Sequence, residues 1–135
     1  MSVSLVAIAT ATDAWQVDED APLLVAALEA EGMAAVPAVW DDPQVDWSRF
    51  DLVVLRSTWD YTDRLDEFLA WIDRVASVTT VANPAATIRW NTDKHYLADL
   101  APRVVAVVPT IFLHAAPNAG PSTDHPPPAA TAVPA

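Results

Sequence analysis

The residues from Arg56 to Tyr61 combine the side chains that a small-molecule site needs. Within six positions they supply one cation, two hydroxyls, one carboxylate and two aromatic rings. Apolar walls with a few polar anchors are typical of such sites. Two interpretations are open. Either the run binds a ligand, or it is a capped loop in which Trp59 covers the edge of the core and Arg56 forms an ion pair with Asp60. The candidate binding residues are Arg56, Ser57, Thr58, Trp59, Asp60 and Tyr61.

The element before this run predicts where it lies in the fold. Asp51 to Arg56 holds four branched apolar residues in a row, which suits a strand at the centre of a parallel sheet. Val3 to Ala9 has the same character, and the loop Thr10 to Asp13 follows it. Parallel strands carry their ligands beyond their carboxyl ends. We therefore expect the two loops to share one edge, and Thr10 joins the candidate binding residues.

Helical and strand patterns alternate along the rest of the chain, which predicts an α/β fold. The expected architecture is a three-layer α/β/α domain, Rossmann-like, with an open and mainly parallel sheet of four to five strands. Pro37 places its strand at an edge, because proline cannot donate to a neighbouring strand. The remaining predicted elements are a helix from Ala21 to Glu31, a strand from Ala34 to Trp40, a helix from Leu65 to Ala76, a strand from Thr80 to Ala82, a helix from Asp93 to Leu100 and a strand from Val104 to Val108.

A change of composition predicts the end of the folded region. The last 22 residues, 114–135, contain six of the twelve prolines, seven alanines and one charged residue. Such a segment has little apolar surface to bury and favours an extended, solvated state. The sequence therefore predicts an α/β domain over residues 1–113 and a disordered Pro/Ala-rich tail over residues 114–135.

Charge and composition exclude several classes of function. Eighteen acidic and seven basic residues give a net charge of −11, which disfavours binding to nucleic acids or anionic membranes. No apolar run approaches the roughly 20 residues of a membrane helix. The first ten residues lack the basic start of a secretory signal, and the chain has no cysteine. A cytoplasmic protein is the expectation.

Glycine and histidine placement argues against the common cofactor motifs. The chain has only two glycines, Gly32 and Gly120, so it contains neither a glycine-rich dinucleotide loop nor a phosphate-binding P-loop. Its three histidines are 19 and 11 residues apart, which does not predict a metal site. Acidic runs such as Asp18 to Asp20 fall at element boundaries, where helix caps and solvated turns explain them. No metal ligand and no catalytic residue is predicted.

An ordered set of motifs resembles the ATP-grasp ligases, specifically the bacterial branch with a glutathione-synthetase-like ATP-binding fold that includes a cycloserine-forming ligase. The similarity covers most of residues 1–113 and corresponds to the N-terminal pre-ATP-grasp domain. The motifs are Val39 to Asp42, Phe50 to Tyr61, Asn83-Pro84, Arg89 to Lys94 and Val108 to Thr110.

The resemblance implies a reaction in which ATP phosphorylates a carboxylate and an amine attacks the acyl phosphate, with Mg²⁺ spanning the phosphates. It implies that Lys94, the only lysine, contacts the ATP phosphates. It also implies that the loop from Ser57 to Tyr61 faces the acceptor substrate. In the family, central and C-terminal lobes follow the Val-Pro-Thr segment and clamp ATP; here a Pro/Ala tail follows. Neither ATP nor Mg²⁺ is expected to bind this chain tightly.

Two functions follow from these observations. The first is the substrate-side domain of an ATP-grasp carboxylate–amine ligase, here truncated or frame-shifted and inactive alone, whose partner is a small-molecule carboxylate or amine. The alternative is a free-standing α/β domain that binds a small molecule or a protein without ATP chemistry. No pattern in the sequence indicates an oligomeric state.

Overall fold

A computed structural model describes residues 3–103 and 105–113. Its four strands form one sheet in which every pairing is parallel. The second strand in the chain lies at one edge, followed by the first, the third and the fourth. Short 3-10 turns at 15–17, 47–49, 59–62 and 101–103 connect the longer elements. The strands are β1 (Leu5–Thr10), β2 (Ala34–Val39), β3 (Leu52–Ser57) and β4 (Thr80–Ala82). The helices are α1 (Ala21–Ala30), α2 (Leu65–Ala76), α3 (Ala85–Thr92) and α4 (Tyr96–Leu100).

The strand order confirms the α/β prediction and places helices on both faces of the sheet. From β1 the chain passes through α1 to β2 on one side, and from β3 it passes through α2 to β4 on the other. Both connections are right-handed crossovers, and they run toward opposite edges of the sheet. Helices α1 and α2 therefore lie on opposite faces of the sheet. The order reverses between β1 and β3, which makes this the switch point where ligands bind in open α/β sheets.

The register agrees with the predicted roles of the strands. Pro37 lies opposite Ile8 on β2, which is an edge strand, so its missing N–H leaves no neighbour unpaired. β3 lies between β1 and β4, as its run of branched residues predicts. Gly32 has a φ of 78° in the turn after α1, a conformation that glycine adopts without steric cost.

The main core lies between the sheet and α2. Ala7 and Ala9 on β1 have small side chains, and large rings fill the space above them. Trp40, Phe68 and Trp71 pack with ring centroids 5.5 to 5.8 Å apart and are each 2% exposed. Aromatic contacts at such distances add to the burial of their large apolar area. Trp40 is therefore a central core residue rather than a cover at the sheet edge.

Two predictions near the end of the described region are wrong. The predicted helix over Asp93 to Leu100 forms only over its last five residues, as α4, because Asp93 turns the chain and its carboxylate accepts the backbone N–H of His95 at 2.9 Å. Helix α3 precedes this turn, and only α4 follows it. The predicted strand from Val104 to Val108 does not form over its described residues, 105–108. Val108 is 75% exposed, and an apolar run without a neighbouring strand has nothing to pair with.

The described residues up to Tyr96 form one compact unit, and those from Leu97 belong to a second. The predicted tail over residues 114–135 lies outside the described residues. No helix in the described part of the chain is long and apolar enough to cross a membrane.

Candidate functional site

The structure brings the two predicted loops together at the carboxyl edge of β1 and β3. Thr10 and Ser57 are register partners across a local shift in the pairing, and the backbone N–H of Ala11 donates to the carbonyl of Ser57 at 2.9 Å. Thr10 is 1% exposed and Ser57 is fully buried. The prediction that the loops share one edge is confirmed. Both hydroxyl side chains lie under the loops rather than on their surface.

A buried carboxylate anchors the first two residues of the Arg56 to Tyr61 loop. Asp18 accepts Nε and Nη2 of Arg56 at 2.9 and 2.8 Å, and it accepts the hydroxyl of Ser57 at 2.5 Å. Asp20 adds a longer contact to Arg56 at 3.2 Å. The interpretation of Arg56 as the partner of Asp60 is therefore wrong. Asp18 reaches Arg56 because the turn after β1 crosses the end of β3, which no spacing in the sequence shows.

These contacts fix the charge state of the anchor. Hydrogen bonds from Arg56, and then from Ser57, lower the pKa of Asp18 from 3.8 to about 2. The same hydrogen bond raises the pKa of Arg56 above its ordinary value. At neutral pH the pair is ionised and each partner is satisfied by the other. Arg56 and Ser57 accordingly hold the loop in place, and their polar atoms are engaged before any ligand arrives.

A second anchor holds the far end of the loop. Asp60 accepts the indole N–H of Trp40 at 2.9 Å, and its other oxygen lies 3.4 Å from Arg64. The guanidinium of Arg64 lies 4.8 Å from the centre of the Trp40 ring and pairs with Asp41 at 2.6 Å. The hydrogen bonds that Arg64 donates to the carboxylates of Asp41 and Glu67 raise its pKa. Asp60 thus ties the loop to a core residue, while its side chain stays 36% exposed.

Three side chains of the loop remain available to a ligand: Thr58 and Trp59 between the anchors, and Tyr61 just after the second anchor. Trp59 is 55% exposed, so the interpretation that it covers the core is wrong. Thr58 is 6% exposed, and Tyr61 packs against Phe68 with ring centroids 5.3 Å apart. The six predicted residues therefore divide into three that position the loop and three that are able to contact a substrate.

A cavity of about 160 Å³ opens at the carboxyl ends of β3 and β4. No charged residue lines it. Among the described residues, the side chains of Thr58, Tyr61, Asn83, Thr87 and Asn91 make no hydrogen bond, so their donors and acceptors are available to a ligand. The lining residues are Leu55, Thr58, Tyr61, Phe68, Ala82, Asn83, Thr87, Ile88, Asn91 and Thr92.

Sequence reasoning missed Asn83, Thr87, Asn91 and Thr92 as site residues. Asn83 follows β4 directly, and the rule that ligands lie beyond the carboxyl ends of strands would have included it. The other three lie on α3, which the predicted elements omitted. Their place in the cavity depends on a helix that the sequence pattern did not reveal.

Lys94 lies just beyond this site and does not line the cavity. It is exposed in the turn between α3 and α4, with its Nζ 3.4 Å from the carbonyl oxygen of Asn91. The ammonium lies 5.6 Å from the centre of the Tyr96 ring. The side chain is held only by these weak local contacts, so it is free to reorient toward an anion.

Comparison with known proteins places this fold and site in a family. Residues 6–83, which run from β1 to the residue after β4, match the family described as the D-cycloserine synthetase DcsG N-terminal domain. The chain belongs to this family. It is 43% identical over 108 residues to the cycloserine biosynthesis protein DcsG of Streptomyces lavendulae, a match that covers 80% of this chain and 36% of that protein.

The solved structures agree with this membership in the DcsG N-terminal domain family. The crystal structure of D-cycloserine synthetase DcsG matches with a TM-score of 0.75 and 42% identity, over 78% of this chain and 36% of that one. The present chain therefore spans about a third of the length of these relatives. The family match includes both loops and both anchors, from Thr10 to Tyr61, and ends at Asn83 in the cavity.

Proposed function

We propose that this domain provides the acceptor-substrate side of an ATP-dependent carboxylate–amine ligase. In that reaction ATP activates a carboxylate as an acyl phosphate, and an amine then displaces the phosphate. The observation that carries the proposal is the uncharged cavity of about 160 Å³ beside the anchored loop, lined by five polar side chains that have no partner among the described residues.

The chemistry of the cavity suits an uncharged polar part of a substrate. A charged group would leave water without finding an opposite charge there, and that desolvation is unfavourable. Amide and hydroxyl side chains instead donate to and accept from neutral carbonyl, amide or hydroxyl groups. At roughly 30 Å³ per water, the volume corresponds to about five water molecules, which is the size of one such group.

Specificity for that group follows from the uncommitted side chains. A substrate that lacks the matching polar atom would leave Thr58 unpaired in a buried place. That loss discriminates more strongly than a missing methylene group does. Trp59, exposed next to Thr58 in the loop, offers an apolar surface to the rest of the substrate.

The described residues do not fit a Mg²⁺ site, because no group of three or more His, Asp or Glu side chains among them is placed to hold a metal ion. Lys94 is the one residue that the family resemblance links to ATP. We therefore assign ATP and Mg²⁺ binding mainly to the part of the relatives that this chain does not cover. This domain binds and orients the acceptor substrate.

A chimera tests the proposal. Residues 3–113 of this chain would replace the matching segment of the Streptomyces lavendulae protein, and ADP release and product formation would be measured together. We expect an active ligase. Within the chimera, Thr58→Val and Asn91→Ala should each raise the KM for the acceptor about tenfold, roughly 1.4 kcal/mol, and leave the KM for ATP unchanged.

Thr12→Val is the matched control, because Thr12 is an exposed hydroxyl on the same edge and does not line the cavity. It should leave both constants unchanged. A rise in the KM for ATP instead of the acceptor would overturn the substrate-side assignment. A folded chimera that binds the acceptor but never releases ADP would favour a binding domain without ATP chemistry.

A further inference from the structure

A larger cavity, of about 500 Å³, lies on the α2 side of the sheet, and none of its lining residues lines the smaller cavity. One wall is the second half of α2 and the residue Val78 beyond it. The other wall is the segment 40–48, which crosses from the end of β2 toward the start of β3. A volume of this size is typical of pockets that enclose a small organic molecule.

The interior of this cavity is aromatic. Trp40 and Trp47 each contact Trp71, with ring centroids 5.8 and 5.1 Å apart. Val75 is buried at the inner end, and Val78 is 52% exposed. Trp40, Trp71 and Val75 are at most 2% exposed and form the floor of the cavity. The apolar surface open to an aromatic or branched side chain therefore comes mainly from Trp47 and Val78.

The rim of the cavity carries charges of both signs that do not neutralise one another. Arg74 lines the α2 wall and forms no ion pair within the described residues. On the facing segment, Asp42 and Asp46 each use one carboxylate oxygen to accept a backbone N–H, from Gln44 and Ser48 respectively. Their second oxygens remain available.

Trp71 supplies a further polar atom. Its indole N–H is buried and has no hydrogen-bond partner in the described part of the chain. Trp71 and Arg74 are three residues apart on one helix, so they lie on the same face about one turn from each other. Both residues therefore belong to the wall that α2 gives to this cavity.

We infer that this cavity binds a free amino acid with an aromatic or branched apolar side chain. The carboxylate binds Arg74 on the helical wall, the ammonium binds Asp42 and Asp46 on the facing segment, and the side chain packs against Trp47 and Val78. An α-amino acid carries its carboxylate and its ammonium on one carbon. Rim charges of both signs therefore match its head group better than that of a simple acid, a simple amine or a neutral ring. The inference is independent of the ligase proposal, because none of the substrate-side residues lines this cavity.

Indole N–H signals in ¹H–¹⁵N spectra of the full chain test the inference, and Trp71→Phe assigns the signal of Trp71. The probes are phenylalanine as the racemate, 3-phenylpropanoate and 2-phenylethylamine, which share one ring and differ only in their charges. We expect phenylalanine to shift the Trp71 signal with a dissociation constant of about 1 mM or tighter, and the two half-charged probes to bind at least about tenfold more weakly.

Arg74→Gln and Asp42→Asn should each weaken phenylalanine binding about tenfold or more. Arg103→Gln is the control, since it removes the same charge from an exposed side chain that does not line this cavity. Equal affinity for the three probes would overturn the inference. So would an Arg74→Gln variant that folds and binds phenylalanine unchanged, or a Trp71 signal that does not move at about 20 mM phenylalanine.

Discussion

Replacement of single tryptophans separates the core from the substrate side of the loop. Trp40 is 2% exposed, contacts two other rings and donates its N–H to Asp60. Trp40→Ala should therefore lower the free energy of unfolding by about 3 to 5 kcal/mol. Trp59 is 55% exposed, and Trp59→Ala should change it by no more than about 0.5 kcal/mol.

These energies convert directly into an observable. With a denaturant slope of about 2 kcal/mol/M in urea, Trp40→Ala should lower the midpoint by roughly 1.5 to 2.5 M, and Trp59→Ala by less than about 0.3 M. Far-ultraviolet circular dichroism is the suitable readout, because it does not depend on the fluorescence of the replaced ring. Small domains are stable by only about 5 to 15 kcal/mol, so Trp40→Ala has the capacity to unfold much of the chain.

If Trp40→Ala unfolds the chain, Trp40→Phe is the variant whose stability can still be measured. It retains an aromatic ring in the core and removes the N–H that Asp60 accepts, so we expect a loss of about 1 to 2 kcal/mol. A Trp59→Ala loss above about 1.5 kcal/mol would refute the assignment of Trp59 to the substrate side. A loss below about 1 kcal/mol for Trp40→Ala would refute the aromatic core itself.

Three further outcomes follow from the site. The pKa of Asp18 is lowered from 3.8 in a free chain to about 2 in the fold. The contribution of Asp18 to stability is therefore complete above pH 3.8 and is lost as the pH falls toward 2. Urea midpoints between pH 6 and pH 2.5 should show a smaller acid-induced loss for Asp18→Asn than for the unmodified chain. Calorimetry with this chain and ATP should give no dissociation constant below about 10 μM, because one exposed lysine contributes only about 1 kcal/mol. In the chimera, Lys94→Gln should raise the KM for ATP and leave the KM for the acceptor unchanged. The same substitution in this chain should leave the melting temperature almost unchanged. An unchanged KM for ATP would show that Lys94 does not bind the nucleotide.

Local patterns in the sequence predicted the parts of the fold that depend on near neighbours. The amphipathic spacing of Phe68, Ile72 and Val75 gave helix α2 with its observed bounds. Pro37 identified an edge strand, and the branched run before Arg56 identified an inner one. Each of these features is decided by residues within one element, so a single segment carries the information.

The errors concern features that require a distant partner. The apolar run over 104–108 resembles a strand, but a strand forms only where another strand accepts its hydrogen bonds. Arg56 was assigned to Asp60, four residues away, whereas the buried partner is Asp18, 38 positions distant. Likewise, Trp40 and Trp59 both follow strands, and only the packing of α2 distinguishes the core ring from the exposed one.

The two anchors have a consequence for how this loop tolerates change. Arg56 and Ser57 are bound to Asp18, and Asp60 is bound to Trp40, so substitutions at the loop ends disturb contacts that reach into the body of the domain. Thr58 and Trp59 lie between the anchors and support none of these bonds. A combinatorial library at positions 58 and 59 should therefore yield mostly folded proteins with altered ligand preference, whereas the same diversity at 56, 57 and 60 should yield mostly unfolded ones. The domain separates the residues that can be redesigned from those that must be kept.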